Sequence, residues 1–303
     1  MKKNLFYNVL WMALGLLIVS CAKDPLFEKG DYIVEDSYLV KYENANHFLV
    51  HWAEGVTDEE KAVVENLLNN MVKVDGGTFM MGAQSTDSTA ANYDAAAADD
   101  ESPVHKVSLS DFYINRYEVT QKEWRTLMGE KQQVEEKYGL GDNFPVYYVL
   151  RDEALAFVQR LSELTGLEFS LPTEAQWEYA ARGGQKSQAT RYSGSANADQ
   201  VAWHVQNSGY TSHEVGKKQP NELGLYDMSG NVWEWCADSY NTYISSEMTD
   251  PLIDGHAERV LRGGSWCYMT DRCRVTTRDH AVGTNTNPAC SFGFRVALKY
   301  IEK

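Results

Sequence analysis

The sequence predicts an α+β domain with few regular elements and long loops. Three observations predict it. Helical periodicity stands three times behind or near a threonine cap, and little of it continues past Gly184. The chain after Gly184 is rich in Gly, Asn, Ser and Trp, the composition of turns and short strands. The C-terminal "GFRVALKY" alternates in the manner of a closing strand.

The elements follow in order. "SYLVKY" and "HFLVHW" are short mixed stretches after a polar tether. In "TDEEKAVVENLLNNM", Thr57 and Glu60 fit a capping box, and Val63, Val64, Leu67, Leu68 and Met71 keep helical spacing, so a leading helix is expected over 57–70. "MVKVDGGTFMMG" (71–82) reads as a strand with a Gly-Gly turn. The alanine-rich "AQSTDSTAANYDAAAADDESP" reads as a surface loop, with Asp99, Asp100 and Glu101 as a solvated acidic run. "HKVSLSDFYINRYEVT" reads as extended chain, and Thr120 with Glu123 caps a helix over "QKEWRTLM". Residues 151–165 form an amphipathic helix with Ala154, Phe157, Val158, Leu161 and Leu164 on one face, stopped by Gly166. Thr173 and Gln176 cap the helix of "LPTEAQWEYAARGG".

Residues 1–20 read as a signal peptide. Lys2 and Lys3 precede an apolar run, Val9 to Val19, that is too short to span a bilayer comfortably. The run ends in Ile18-Val19-Ser20-Cys21, which resembles a bacterial lipobox, so Cys21 is the expected lipidation site. The organisation is then a signal peptide (1–20), a tether and N-terminal extension (21–56), and one domain (57–303). The expected location is the bacterial cell envelope, lipid-anchored at the outer membrane, on either face.

The 303 residues carry a formal charge of −15, which becomes −17 once residues 1–20 are removed. Phosphate backbones repel such a chain, so nucleic acid is excluded as a partner. Four cysteines follow Cys21: Cys236, Cys267, Cys273 and Cys290. They allow three pairings, and sequence does not choose among them. His280 near Cys273 is read as a surface histidine, since no orienting third residue accompanies the two.

Ordered segments now align with one family: "VDGGTFMMG", "SPVHKVSLSDFYINRYEVTQKEW", "LPTEAQWEYAARGG", "NELGLYDMSGNVWEW", "RVLRGGSW" and "GFRVA". Across roughly residues 71–300 the chain resembles the formylglycine-generating enzyme, or sulfatase-modifying factor, family. The resemblance implies a C-type-lectin-like fold, and an activity that oxidises a sulfatase cysteine with copper and oxygen. The family's two copper-holding cysteines stand five residues apart after "GGS". By that count Cys273 takes the first position and Arg278 the second. Arginine has no lone pair for a metal, so copper is not expected here. Cys267 and Cys290 match neither position. The alternative is a copper-dependent oxidase with an altered site.

The resemblance also implies calcium. Its ligands would be Asp227 and Glu234 by side chain, with Gly230 and Val232 by carbonyl, and a second site would fall near Asp199 and Asn207. Read without the family, short-spaced oxygens on the Ser229-Gly230 turn suit calcium, while Asp227 and Asn231 equally suit turn caps. Trp233, Trp235 and Trp266 read as core, and Gly263-Gly264 as a backbone necessity.

Between Trp266 and Gly293 the residues are a miscellany, and the chain resembles the variable proteins of diversity-generating retroelements. That likeness implies a binding face made from Trp266, Cys267, Tyr268, Asp271, Arg272, Asp279, His280 and Phe292. The expected function is a non-catalytic binding protein whose partner is a protein or glycan at the cell envelope.

Overall fold

Helices begin in this chain where a side chain can satisfy the free amides of the first turn. In the computed structural model, which describes residues 37–41, 47–131, 133–282 and 289–300, α1 spans Asp58–Asn69. The Thr57 hydroxyl accepts from Glu60 N, and Glu60 accepts in return from Thr57 N. The same reciprocal box opens α2 (Gln121–Met128) at Thr120 and Glu123. α3 (Arg151–Thr165) ends on Gly166, whose φ of 72° is left-handed. α4 (Glu174–Ala181) opens on the Thr173–Gln176 box, and α5 (Ala198–Val201) is a single turn. All three expected boxes are formed. The predicted signal peptide, Cys21 and residues 22–36 lie outside the described residues.

The strands are short. β1 (Ser37–Lys41) and β2 (His47–His51) form a two-stranded sheet. The stretch 71–82, read as a strand with a Gly-Gly turn, is two strands, β3 (Met71–Val74) and β4 (Gly77–Met81), which belong to different sheets. The division falls at Gly76, where a Cβ would lie 2.3 Å from the Leu109 carbonyl oxygen, so the chain passes too close to its neighbour for any other residue. Then come β5 (His105–Leu109), β6 (Phe112–Asn115), β7 (Phe169–Ser170), β8 (Trp233–Ser239), β9 (Met248–Thr249), β10 (Glu258–Arg262), β11 (Arg278–Val282), β12 (Phe292–Gly293) and β13 (Ala297–Lys299).

Beside the β1–β2 pair, the described residues form three further sheets, with orders β3-β6-β13-β7, β4-β5-β9 and, third, β11-β10-β8-β12. "GFRVALKY" thus begins at the end of β12 and supplies one small closing strand, β13. The third sheet carries the candidate residues. β10 and β11 run antiparallel with Arg262 opposite Arg278, and β12 lies parallel to β8 with Phe292 beside Trp233.

The periodic faces read from the sequence are the ones buried. Val63, Val64, Leu67 and Leu68 of α1 meet Phe157 and Leu161 of α3, Trp124 of α2 and the β8 tryptophans in one cluster. Trp124 stacks on Phe157 with centroids 5.8 Å apart. Each such side chain contributes roughly 1.5–3 kcal/mol by leaving water. Phe48 and Val50 of β2 join the same cluster. Part of the N-terminal extension, the β2 strand, therefore shares the core of the domain.

The acidic run of the alanine-rich loop is not a solvated one. Asp99 is exposed, but Glu101 is buried and forms an ion pair with Arg274, and Asp100 accepts from the Tyr240 hydroxyl at 2.7 Å. The loop folds back on itself, with Ala83 N donating to the Glu101 carbonyl, and this draws the acids inward.

Candidate functional site

α4 sets the chemistry of the site. Every residue of this helix except Gln176 is buried, so Glu174 and Glu178, one turn apart, must find partners inside the protein. Arg278 and Arg262 supply them. Arg278 forms a two-pronged pair with Glu174, Nε to Oε1 at 2.7 Å and Nη2 to Oε2 at 2.9 Å. Its Nη1 donates to the Asp100 and Asn241 carbonyls. Its guanidinium lies 3.9 Å from the Tyr243 ring centroid, and the residue is 2% exposed. Arg262 reaches Glu178 at 2.6 Å and Glu174 at 3.3 Å. Burial alone would raise the Glu174 carboxyl; the Arg278 and Arg262 guanidinia outweigh it and hold the group below the ordinary carboxylate range.

Cys273 sits in different surroundings. It is 0% exposed, in a cluster with Tyr192, Ala198, Val201 and Ala202. Its thiol donates to the Met269 carbonyl at 3.8 Å. Burial pushes this thiol up to about 12, so it stays protonated at neutral pH. Gly264 must be glycine here, because its φ is 78° and a Cβ would lie 2.8 Å from the Cys273 sulfur. Arg278 instead lines a cavity of about 90 Å³ with Glu174, Asp238, His105, Tyr243 and apolar neighbours. That is far below the 300–1,000 Å³ or so of a typical ligand pocket.

The expected binding face divides. Trp266 is 4% exposed and belongs to the core with Tyr147 and Val232, its ring 5.6 Å from that of Tyr138. Its backbone is tied to the Asn231 carbonyl, which turns the large ring inward, so Trp266 does not lie on the face. Residues 273–278 are buried as well. Met269, Asp271, His280 and Val282 are exposed, while Cys267, Tyr268, Arg272, Asp279 and Phe292 are half-buried. Arg272 and Asp279 pair at 2.7 Å, above the Trp233 ring. His280 stacks on Tyr240 with centroids 4.1 Å apart.

The turn read as a calcium segment carries excess buried charge. Asp227 is 2% exposed; Oδ2 accepts from Gly216 N at 2.7 Å, and the buried Oδ1 has no partner. Glu118, which sequence reasoning missed, is 1% exposed and accepts from Val232 N at 3.0 Å and Asn231 Nδ2 at 2.6 Å. Both oxygens of Glu234 are engaged, by Arg295 and by Trp177 Nε1 at 2.8 Å. Three carboxylates thus share one buried guanidinium, that of Arg295. Burial, with Asp227 and Glu234 adding to it, drives the Glu118 carboxyl well above the ordinary range. Burial likewise brings Asp227 up to about 6. A divalent cation fits this arrangement through the orphaned Asp227 oxygen. Among the described residues no three His, Cys, Asp or Glu side chains converge as a metal cage, so carbonyls such as those of Gly230 and Val232 must complete any shell.

The second segment does not present such an opening. Asp199 pairs with His204 at 2.9 Å, and Asn207 donates to Asp199 and accepts from His204 N. The Lys218 ammonium donates to the Asp199 carbonyl and lies 4.0 Å from the Trp203 ring centroid. A cation therefore already occupies the Asp199 carbonyl, and no orphaned buried oxygen like that of Asp227 marks this segment.

A profile of the sulfatase-modifying factor enzyme 1-like domain matches residues 57–300. The chain belongs to the sulfatase-modifying factor family. The chain is 33% identical over 217 residues to the chaperone protein LppX of Paenibacillus barcinonensis, covering 56% of this chain and 74% of that one. It is 30% identical to the formylglycine-generating enzyme of Streptomyces coelicolor (79% of this chain, 76% of that one). It is 29% identical to the inactive Cα-formylglycine-generating enzyme 2 of Bos taurus (75% and 87%). Among solved structures, Treponema denticola variable protein 1 superposes with a TM-score of 0.64 at 27% identity, over 89% of this chain and all of that one. The fold is the family's C-type-lectin-like α+β fold, as the sequence predicts.

Sequence reasoning missed Glu118, Glu174 and Glu178 as site residues. A signal existed for two of them. Glu174 and Glu178 are four apart in a helix whose other residues are mostly Ala, Trp and Tyr, so no polar face was available to carry them.

Proposed function

We propose that this chain is an exported lipoprotein whose family domain binds a protein or glycan at the cell envelope and does not make formylglycine. The observation that carries this reading is the Arg278–Glu174 pair. A buried, ion-paired guanidinium stands where the resemblance puts the second copper thiolate. Cys273, at the first position, is a buried, protonated thiol among Tyr192, Ala198, Val201 and Ala202, while Arg278 is held by Glu174. A soft Cu(I) ion needs thiolates, and one buried thiol does not enclose it. The test is incubation of the purified chain with Cu(I), oxygen and a sulfatase-type cysteine peptide. No aldehyde is expected by mass; turnover would establish the copper oxidase instead, with Cys267 or Cys290 as the other ligand.

The lipobox at 18–21 supports the anchor. A Cys21→Ser variant is expected in the soluble fraction, and unchanged membrane association of that variant would reject a lipid at Cys21. Calcium, held through Asp227, is the proposed structural cofactor. The likeness to a variable protein supports a changeable face, made from exposed or half-buried residues of 267–272, 279–282 and 289–292. The buried run 273–278 would stay fixed between them. A near-copy of the coding stretch beside a reverse transcriptase would identify the face as diversified.

A further inference from the structure

We infer that Cys267 and Cys290 are a disulfide pair, and that Cys236 and Cys273 remain thiols. Sequence leaves three pairings open; burial and neighbourhood select one. Cys236 is fully buried in the cluster under α4, beside Val260 and Trp177. Cys273 is fully buried beside Tyr192. All four are free thiols in this structure, and Cys267 and Cys290 alone share a cluster, packed against Tyr147, Val232 and Trp266, with both half-exposed. They come from separate parts of the chain. Cys267 follows the Gly263-Gly264 turn, and Cys290 precedes β12, which lies along β8. Both side chains pack on the same three residues, Tyr147, Val232 and Trp266, whereas neither Cys236 nor Cys273 touches that cluster.

Cys267 is also within electrostatic reach of Cys273. That pairing is disfavoured for two reasons. The Cys273 sulfur is enclosed, and a thiol pushed up to about 12 does not supply the thiolate that exchange requires. Cys267 and Cys290 both open to solvent, where an oxidised partner can reach them.

The bond forms by exchange with a disulfide, either a small molecule or an oxidising protein. The Cys267 and Cys290 thiols lose two protons and two electrons and join sulfur to sulfur. The partner's S–S bond breaks and takes up both, leaving two thiols. The product closes a ring from 267 to 290, which holds together both ends of the proposed binding face. Its presence in the cell rests on the export reading, since disulfides persist in oxidising compartments. The pairing itself does not rest on that reading.

The experiment has two arms, each read by peptide mapping without reduction. In the first, the purified full chain is equilibrated with oxidised glutathione. We expect one linked peptide pair containing Cys267 and Cys290, and a midpoint of thermal unfolding raised by roughly 5 °C over the reduced chain. The rise should vanish in Cys267→Ser and in Cys290→Ser. A link between Cys267 and Cys273, or glutathione adducts on both Cys267 and Cys290 with no internal link, would overturn the inference. The second arm maps the chain taken from its host membrane with thiols trapped at lysis. The same link there supports the pair in place. A link that forms with glutathione but is absent from the cell-derived chain counts against export, and leaves the pairing standing.

Discussion

Replacing Glu174 with alanine is expected to lower stability by about 3–5 kcal/mol, because it leaves Arg278 buried and charged with no acid beside it. Arg278 has Tyr243 and two carbonyls for company, but no other carboxylate among the groups that bond it. Arg262 keeps Glu178 and suffers less. In a domain of this size the loss corresponds to a fall of roughly 10 °C in the unfolding midpoint. Glu174→Gln keeps the shape and one acceptor but not the charge, and should recover only part of the loss. Urea unfolding of the three proteins checks this. A loss within about 0.5 kcal/mol, the range of an ordinary surface substitution, would mean that the pair does not brace the site.

Chelation is expected to cost the protein stability through Asp227. At a calcium concentration 100 times the dissociation constant, binding to the native state adds roughly 2.7 kcal/mol. The effect has a pH signature. Without metal, the native chain holds a proton on Asp227 up to about pH 6, well above where the unfolded chain releases it. Stability in chelator should therefore fall as pH rises through that window, since the native state gives up a proton it bound more tightly. Calcium replaces the proton on the same oxygen, so the gain from calcium should be larger at pH 7 than at pH 5. Asp227→Asn should abolish the response to chelator. If this variant responds as the parent does, the cation sits elsewhere.

Local order was legible in the sequence wherever one short-range rule governed it. Thr57, Thr120 and Thr173 announce their helices because the capping box involves residues three apart. Gly166 announces a stop because its φ of 72° suits glycine. What escaped was long-range. The Gly-Gly turn within 71–82 is legible, but that it sends β3 and β4 into different sheets, with Leu109 close to Gly76, is not. Glu101 reads as solvated until Arg274, 173 positions away, is brought to it. Trp266 reads as core from its residue type and as face from the likeness to variable proteins, and its packing with Tyr138 and Tyr147 puts it in the core. For Arg278, the sequence shows that a ligand is missing from the family's site. Only the fold shows that Glu174 has taken up the replacement.

That replacement makes Arg278→Cys an informative variant. A thiol at 278 would face Glu174 and Tyr243, and Cys273 would still lie among Tyr192 and Ala198. The variant should lose stability and gain no copper site. The most direct measurement is the Cu(I) content of the unaltered chain after anaerobic loading and competition with a Cu(I) chelator. The account predicts far less than one retained ion per chain, unchanged when Cys273 is replaced by serine. One tightly held Cu(I) per chain, lost in Cys273→Ser, would contradict it.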